Sequence, residues 1–242
     1  MSFRKLFSRH AGSAWLRQMW LQQYLGDGDW TLQIDTGEAT VGEDMAFSVQ
    51  LLGSEAQGDT HTWLWAWANQ DIEPAEKSME VAKRLQQMGV EQAISEFTEA
   101  TFPLEQADAH ALAMVASALD DNSCYFRGPY EGGAVYFLLK NLPEERNDRV
   151  SLEIVQRAAT DVATMFRVDQ RAMIAGLLED QGFSMDTVAR RMTATRGDEA
   201  LLVEFNAADQ VIGLNGRHVS QGPKKWWKSG SKHPPTMKRT YQ

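Results

Sequence analysis

The sequence predicts an α+β protein: a mainly antiparallel sheet packed against helices, with room for a smaller C-terminal α/β lobe. Three observations carry that expectation. Apolar residues alternate at a period of two between Trp30 and Ala68 and again between Ser123 and Asn141. They recur at spacings of three and four in the stretches before, between and after those segments. Clusters rich in Gly, Asp and Ser separate the two kinds of pattern, so strands and helices come in runs and not in strict alternation. With 43% apolar residues over 242 positions the chain can bury a substantial core.

Taken in order, Trp15, Leu16, Met19, Trp20 and Tyr24 form one apolar face of a helix over 13–24, ended by Gly26. The segments Trp30 to Ile34, Met45 to Leu52 and His61 to Ala68 are expected as strands of an antiparallel meander. A helix follows: Pro74 starts it, Glu73 and Glu76 suit its positive end, Val81, Leu85 and Met88 make its buried stripe, and Gly89 stops it. Val90, Ile94 and Phe97 predict a shorter helix running up to Pro103, and Leu112, Val115 and Leu119 another. The run "SCYFRGPYEGGAVYFLLKN" predicts a hairpin turning at its Gly-Pro and Gly-Gly pairs.

Leu152, Val155, Ala159, Val162 and Phe166 then mark a helical region ending at Gly182, with Ile174 and Leu177 in a helix of their own. Val188 to Thr195, Ala200 to Asn206 and Val211 to Leu214 are three short strand candidates. The domain organisation expected from this pattern is a main α+β domain over 1–146, a helical region with short antiparallel strands over 147–216 that can belong to the same domain, and a basic tail over 217–242.

Charge bears on partners. The net charge is −9, but the last 26 residues hold seven Lys and Arg and no acid, which leaves 17 basic against 33 acidic residues, or −16, before Arg217. An acidic body repels phosphate, so nucleic acid is disfavoured as a partner except through the tail, where "GPKKWWKSGSKHPP" mixes cations with stackable rings. A basic protein partner suits the body better. The single cysteine, Cys124, cannot form an internal disulfide and leans towards a reducing compartment. Arg9, His10, Arg17 and Gln18 break the N-terminal apolar pattern, so no signal peptide is expected. No membrane-spanning run is present either, and the expected location is the cytoplasm.

The stretch "HTWLWAWAN" at 61–69 places three of eight tryptophans at every second position. As a strand it points His61, Trp63, Trp65, Trp67 and Asn69 to one face and Thr62, Leu64, Ala66 and Ala68 to the other. The three indoles represent roughly 450 to 750 Å², on the order of 11 to 19 kcal/mol of burial before entropy is charged. A soluble monomer rarely exposes so much in one patch. The chain's own helices, another subunit or a ligand covers this face.

The boxes "SVQLLGS" at 48–54 and "TWLWAWANQDIEP" at 62–74 resemble an uncharacterised bacterial family of unknown function, whose members carry a Gln-x-Leu-Gly-Ser strand and a Thr-Trp-x-Trp-Ala-Trp-Ala-Asn strand before a helix. The similarity covers about residues 12 to 140. It implies a bacterial, cytoplasmic α+β domain with no assigned activity. It also carries over Gln50, Trp63, Trp65, Trp67 and Asn69 as the positions of a functional centre, or equally of a structural signature.

Catalytic and metal chemistry are not legible. His10, His61, His110, His218 and His233 have no His or Cys at ligand spacing. Cys124 has no local activating group, and "GDGDW" lacks the remaining ligands of a calcium loop. No cofactor motif appears. Two functional readings follow. One is a non-enzymatic interaction protein, immunity- or antitoxin-like, with an acidic binding surface. The other is a small-molecule binder or enzyme whose pocket lies on the tryptophan-lined face, contacted by Gln50, the three tryptophans and Asn69 and gated by Arg127 and Tyr130 of the hairpin.

Overall fold

A long amphipathic helix opens the chain. In a computed structural model that describes residues 1–42, 44–57, 61–120, 123–147 and 149–218, α1 spans Phe3–Leu25. It begins ten residues before the sequence pattern suggested. Ser2 caps it, its Oγ accepting from the Lys5 N–H, and Phe3, Leu6, Phe7, Ala11 and Ala14 continue the buried stripe. The charged residues Arg4, Lys5 and Arg9 had hidden that stripe.

Seven antiparallel strands form the main sheet: β1 (Trp30–Gln33), β2 (Glu38–Val41), β3 (Met45–Ala56), β4 (Thr62–Trp65), β5 (Thr101–Pro103), β6 (Cys124–Tyr130) and β7 (Gly133–Leu139). Strands β1 to β5 pair in sequence order, β7 pairs with β3, and β6 pairs with β7. Strand β3 is the spine, and it runs straight through Gly53 and Ser54, which the sequence pattern assigned to a turn. A bulge at Leu52 shifts its register against β7. Phe47, Val49 and Leu51 therefore face one core, whereas beyond the bulge Leu52 and Gly53 both turn to the Trp63 side.

Helix α2 (Glu80–Gln92) is preceded by a 3-10 turn at Glu76–Met79 and passes through Gly89 to end at Ala93, whose φ is 54°. Beyond it lie the one-turn helix α3 (Ser95–Thr98) and β5, where a single short helix was expected. Helix α4 (Ala109–Ala118) is central: every residue from Ala111 to Ser117 is buried, as befits a helix that is apolar all round. Asp108 caps it. The β6–β7 hairpin turns at Glu131–Gly132, with Gly132 at φ 89°, while Gly128 and Pro129 lie within β6.

The C-terminal part consists of α5 (Leu152–Met165), α6 (Gln170–Asp180) and a four-stranded antiparallel sheet of β8 (Ser184–Val188), β9 (Arg191–Arg196), β10 (Glu199–Phe205) and β11 (Val211–His218), in the order β11-β10-β9-β8. Strand β8 was not foreseen, because its five residues are exposed and carry no alternation. Met192, Ala194, Leu201, Val203 and Phe205 join α5, α6, α1, α4 and the tryptophan face in one continuous core. Close approach of α1 to α6 depends on Gly12 and Gly176, where an added Cβ would strike Leu177 and the Arg9 carbonyl. Arg9 pairs with Asp180 at 2.8 Å, and the Asp169 N–H donates to Ser8 Oγ at 2.9 Å across the same contact. Among the described residues no helix is long and apolar enough to cross a membrane. The basic tail expected over 217–242 lies outside the described residues from 219 onward.

Trp63 and Trp65 are 0% and 1% exposed. Gly53 makes their packing possible, since a Cβ there would run into the Leu64 carbonyl oxygen of β4 and lie 2.6 Å from Trp63 Cζ2. Gly53→Ala should therefore lower stability by roughly 1–3 kcal/mol through overpacking. Urea unfolding followed by tryptophan fluorescence measures it, and an unchanged midpoint would show that both the ring and the Leu64 carbonyl can give way.

Candidate functional site

The face of the sheet that carries Trp63 also carries a buried polar cluster. Register places Glu55 of β3 opposite Ala134 of β7, and Arg127 of β6 opposite Tyr136 of β7. Ala134 and Tyr136 are two residues apart and so share a side, which brings Glu55, Tyr136 and Arg127 together. The Arg127 Nε donates to Glu55 Oε1 at 3.0 Å and to the Tyr136 hydroxyl at 3.1 Å, and that hydroxyl donates to Glu55 Oε2 at 3.0 Å. Glu55 is only 8% exposed. Its two oxygens are held by a guanidinium and a phenol, which is what lets a carboxylate stay in the interior.

Helix α4 adds His110 at its first turn. The His110 Nδ1 and the Tyr125 hydroxyl are hydrogen-bonded at 3.0 Å, and the imidazole stands edge-on to Tyr136 with ring centroids 5.5 Å apart. Tyr136 in turn meets Trp63 at 5.5 Å, so the indoles connect through one phenol to the histidine. Burial lowers the His110 pKa below its usual 6.5; Asp108 and Glu55 oppose the shift and Arg127 adds to it. Burial likewise raises both tyrosines well above the ordinary phenol range, with Asp108 adding to Tyr125 and Glu55 to Tyr136. At neutral pH the imidazole and both phenols are therefore uncharged.

This cluster forms one wall of a cleft of about 650 Å³ between α1, β6 and the end of α5. Its walls are mostly apolar: Trp15, Met19, Leu21 and Leu25 of α1, Phe126 of β6, Val41, Met165 and Phe166. His110, Tyr125, Arg127, Gln18 and Gln22 supply the polar atoms. The Trp15 Nε1 is already satisfied, donating to Asp161 at 3.2 Å. Gln18 Nε2 is buried and has no hydrogen-bond partner among the described residues. A cleft of this size with a few convergent polar groups has the dimensions of a small-molecule site.

The residues singled out from the sequence scatter around this cleft, and Arg127 alone lines it. Gln50 spans the entry to α2, its Nε2 donating to the Lys77 carbonyl at 2.7 Å and its Oε1 accepting from the Val81 N–H at 3.0 Å. Trp63 and Trp65 are core; the Trp65 Nε1 donates to the Glu96 carbonyl at 2.9 Å, and its ring meets Phe97 edge-on. Trp67 does not continue the strand face as expected. Backbone pairing stops at Trp65 and a 3-10 turn over Ala66–Ala68 redirects the chain. The Asn69 N–H closes that turn by donating to the Ala66 carbonyl at 3.3 Å, and its Oδ1 accepts from the Asp71 N–H at 3.0 Å in the turn that follows. With the half-exposed Tyr130 it borders a smaller apolar hollow of about 190 Å³, which Leu51, Leu64, Ala66 and Val135 also line.

Sequence reasoning missed Gln18, Glu55, His110, Tyr125 and Tyr136. The hairpin alternation does place Tyr125 and Arg127 on one face, and His110 is the sole polar ring on an otherwise apolar helix. Their convergence with Glu55 needs the pairing of β3 with β7, across about eighty residues of chain, which no local pattern encodes. Cys124 is fully buried; burial raises its pKa to about 11, against the opposing pull of Arg17 and Arg146. Among the described residues no group of three or more His, Cys, Asp or Glu is placed to hold a metal ion.

The model of a family of unknown function, DUF6882, matches residues 4–142. The chain belongs to this family. No curated protein and no solved structure matches it. The DUF6882 segment contains Gln18, Glu55, His110, Tyr125, Arg127 and Tyr136, whereas Met165 and Phe166, which close one side of the cleft, lie beyond it.

The neutral imidazole has a consequence for stability. A histidine whose folded pKa is depressed binds fewer protons than its unfolded counterpart, so stability is full above about pH 6.5 and falls as pH drops below it. His10, also lowered by burial, acts in the same direction. His110→Gln should flatten the loss between pH 7 and pH 5.5 without abolishing it. Urea midpoints measured across that range test this, and equal slopes in the two proteins would count against it.

Proposed function

We propose that this chain binds a small, largely apolar molecule in the cleft between α1, β6 and the end of α5. The observation that carries the reading is the convergence of His110, Tyr125 and Arg127 on one cavity with apolar walls. The reading is one of binding; the hydrogen-bonded His110–Tyr125 pair is uncharged and sits where it can orient a ligand.

The uncharged dye Nile red should bind with saturation at one site per chain. Met165 is 51% exposed at the rim, so Met165→Trp narrows the cleft while leaving the core intact, and should weaken the dye by about tenfold. Unsaturable fluorescence, or equal affinity in the variant, would remove the support for this cleft.

A second reading has its own observation, the −16 imbalance of the body before Arg217. It is a non-enzymatic interaction protein whose acidic surface engages a basic partner, in the manner of immunity or antitoxin-like proteins. Purification of the tagged chain from its native host at low salt should then retain a basic protein in stoichiometric amount, released at about 0.5 M salt where surface charges are screened. Retention of no protein would count against this reading.

A further inference from the structure

We infer that the chain regulates its own cleft: the segment 219–242 docks along α5 and places Trp226 and Trp227 between the apolar walls, where it competes with the ligand. The inference rests on the cleft reading and adds its control. Chemistry gives the first support. The segment carries two adjacent indoles and six cations, Lys224, Lys225, Lys228, Lys232, Lys238 and Arg239, and no acid. Rings flanked by cations call for apolar walls with a carboxylate rim. The cleft offers both. Trp15, Met19, Phe126 and Phe166 line it, and its edge at Gly26 and Gly28 belongs to the loop that exposes Asp27 and Asp29.

Reach gives the second. His218 lies at the start of α5, with its Nε2 3.8 Å from Glu153, whereas Met165 and Phe166 border the cleft at the other end of that helix. The helical rise from Glu153 to Met165 is roughly 18 Å. An extended chain from His218 to Trp226 covers up to about 26 to 29 Å, so the two indoles arrive at the cleft with little slack. The surface between is the third support. Ile154 and Met165 are the large apolar side chains that α5 exposes. With Arg157 and Asp161 they share one face, at spacings of three and four. The ion pair of Arg157 with Asp161 at 3.8 Å leaves that face without net charge to repel the lysines. An apolar stripe thus leads from the point where the segment departs to the rim of the cleft.

Cys124 is fully buried, so a nitroxide attached to the full chain at Ser229→Cys reports on the segment alone. With the methionine methyls labelled for NMR, Met19 and Met165 on the cleft should lose most of their signal, while Met185 of β8, across the small sheet from β11, keeps its own. Trp226→Ser combined with Trp227→Ser should restore both signals. The same pair of substitutions should raise Nile red affinity roughly fivefold, since a ligand meets an open cleft only in the fraction of chains whose tail is out. Undiminished Met19 and Met165 signals, or Nile red saturating with equal affinity in both proteins, overturns the inference and leaves the cleft reading standing. Signal loss that arises only when a nitroxide-bearing chain is mixed with a second, methyl-labelled chain assigns the segment to a neighbouring copy and overturns it too. If Nile red fails to saturate even without the two indoles, the cleft reading fails and this inference falls with it.

Discussion

The structure depends on covering the face of the sheet that carries Trp63 and Trp65. Two fully buried indoles remove about 300 to 500 Å² from water, and no other pair of side chains in the chain is larger. That burial requires three things of the surrounding sequence. Gly53 must lack a side chain so that the Trp63 ring can lie against β3. Helix α4 must be apolar on every side, because it packs against both the sheet and α1. The Trp65 N–H finds its acceptor in the Glu96 carbonyl of the one-turn helix α3, whereas the Trp63 N–H has none among the described residues. The bulge at Leu52 serves the same end by switching the face of the strand positions that follow, so that Gly53 comes to lie under Trp63 while Leu51 stays on the other side.

The polar cluster at the edge of that face follows from the same constraint. A sheet covered by helices leaves buried polar groups no water to turn to, so Glu55 is tolerated only because Arg127 and Tyr136 converge on it. The aromatic contacts run from Trp63 through Tyr136 to His110 and Tyr125, and the helix layer stops short at this point. What opens there is a cleft whose inner wall is continuous with the core behind it.

The boxes at 48–54 and 62–74 are explained largely by fold. Gln50 ties the start of α2 to β3, Gly53 makes space, Trp63 and Trp65 fill the core, and the Asn69 side chain accepts from the Asp71 N–H to turn the chain again after the strand. A glutamine that bonds both a carbonyl and an N–H of the incoming chain is costly to replace, since any other residue leaves one of them unmet. Residues that catch the eye in a sequence by being large and regularly spaced were here the residues of packing. The groups with chemical capacity, Glu55, His110 and Tyr125, are ordinary residues in ordinary positions until the strands pair.

Local pattern determined a good deal. Period-two and period-three-to-four spacing located most of the strands and helices, gave the α+β class, and required the tryptophan face to be covered by something. Where pattern misled, the causes are physical: exposed β8 has no alternation, charged residues masked the first turns of α1, and Gly53, Gly89 and Gly128 acted through close packing and not as turn or stop signals. Tertiary structure alone decided what covers Trp63 and Trp65 and where a cleft remains. It also decided which polar side chains line that cleft. Periodicity reports only which way a side chain faces. Which partner it meets depends on strand pairings between residues some eighty positions apart, such as Glu55 with Tyr136, and these form through the cooperative burial of the whole face.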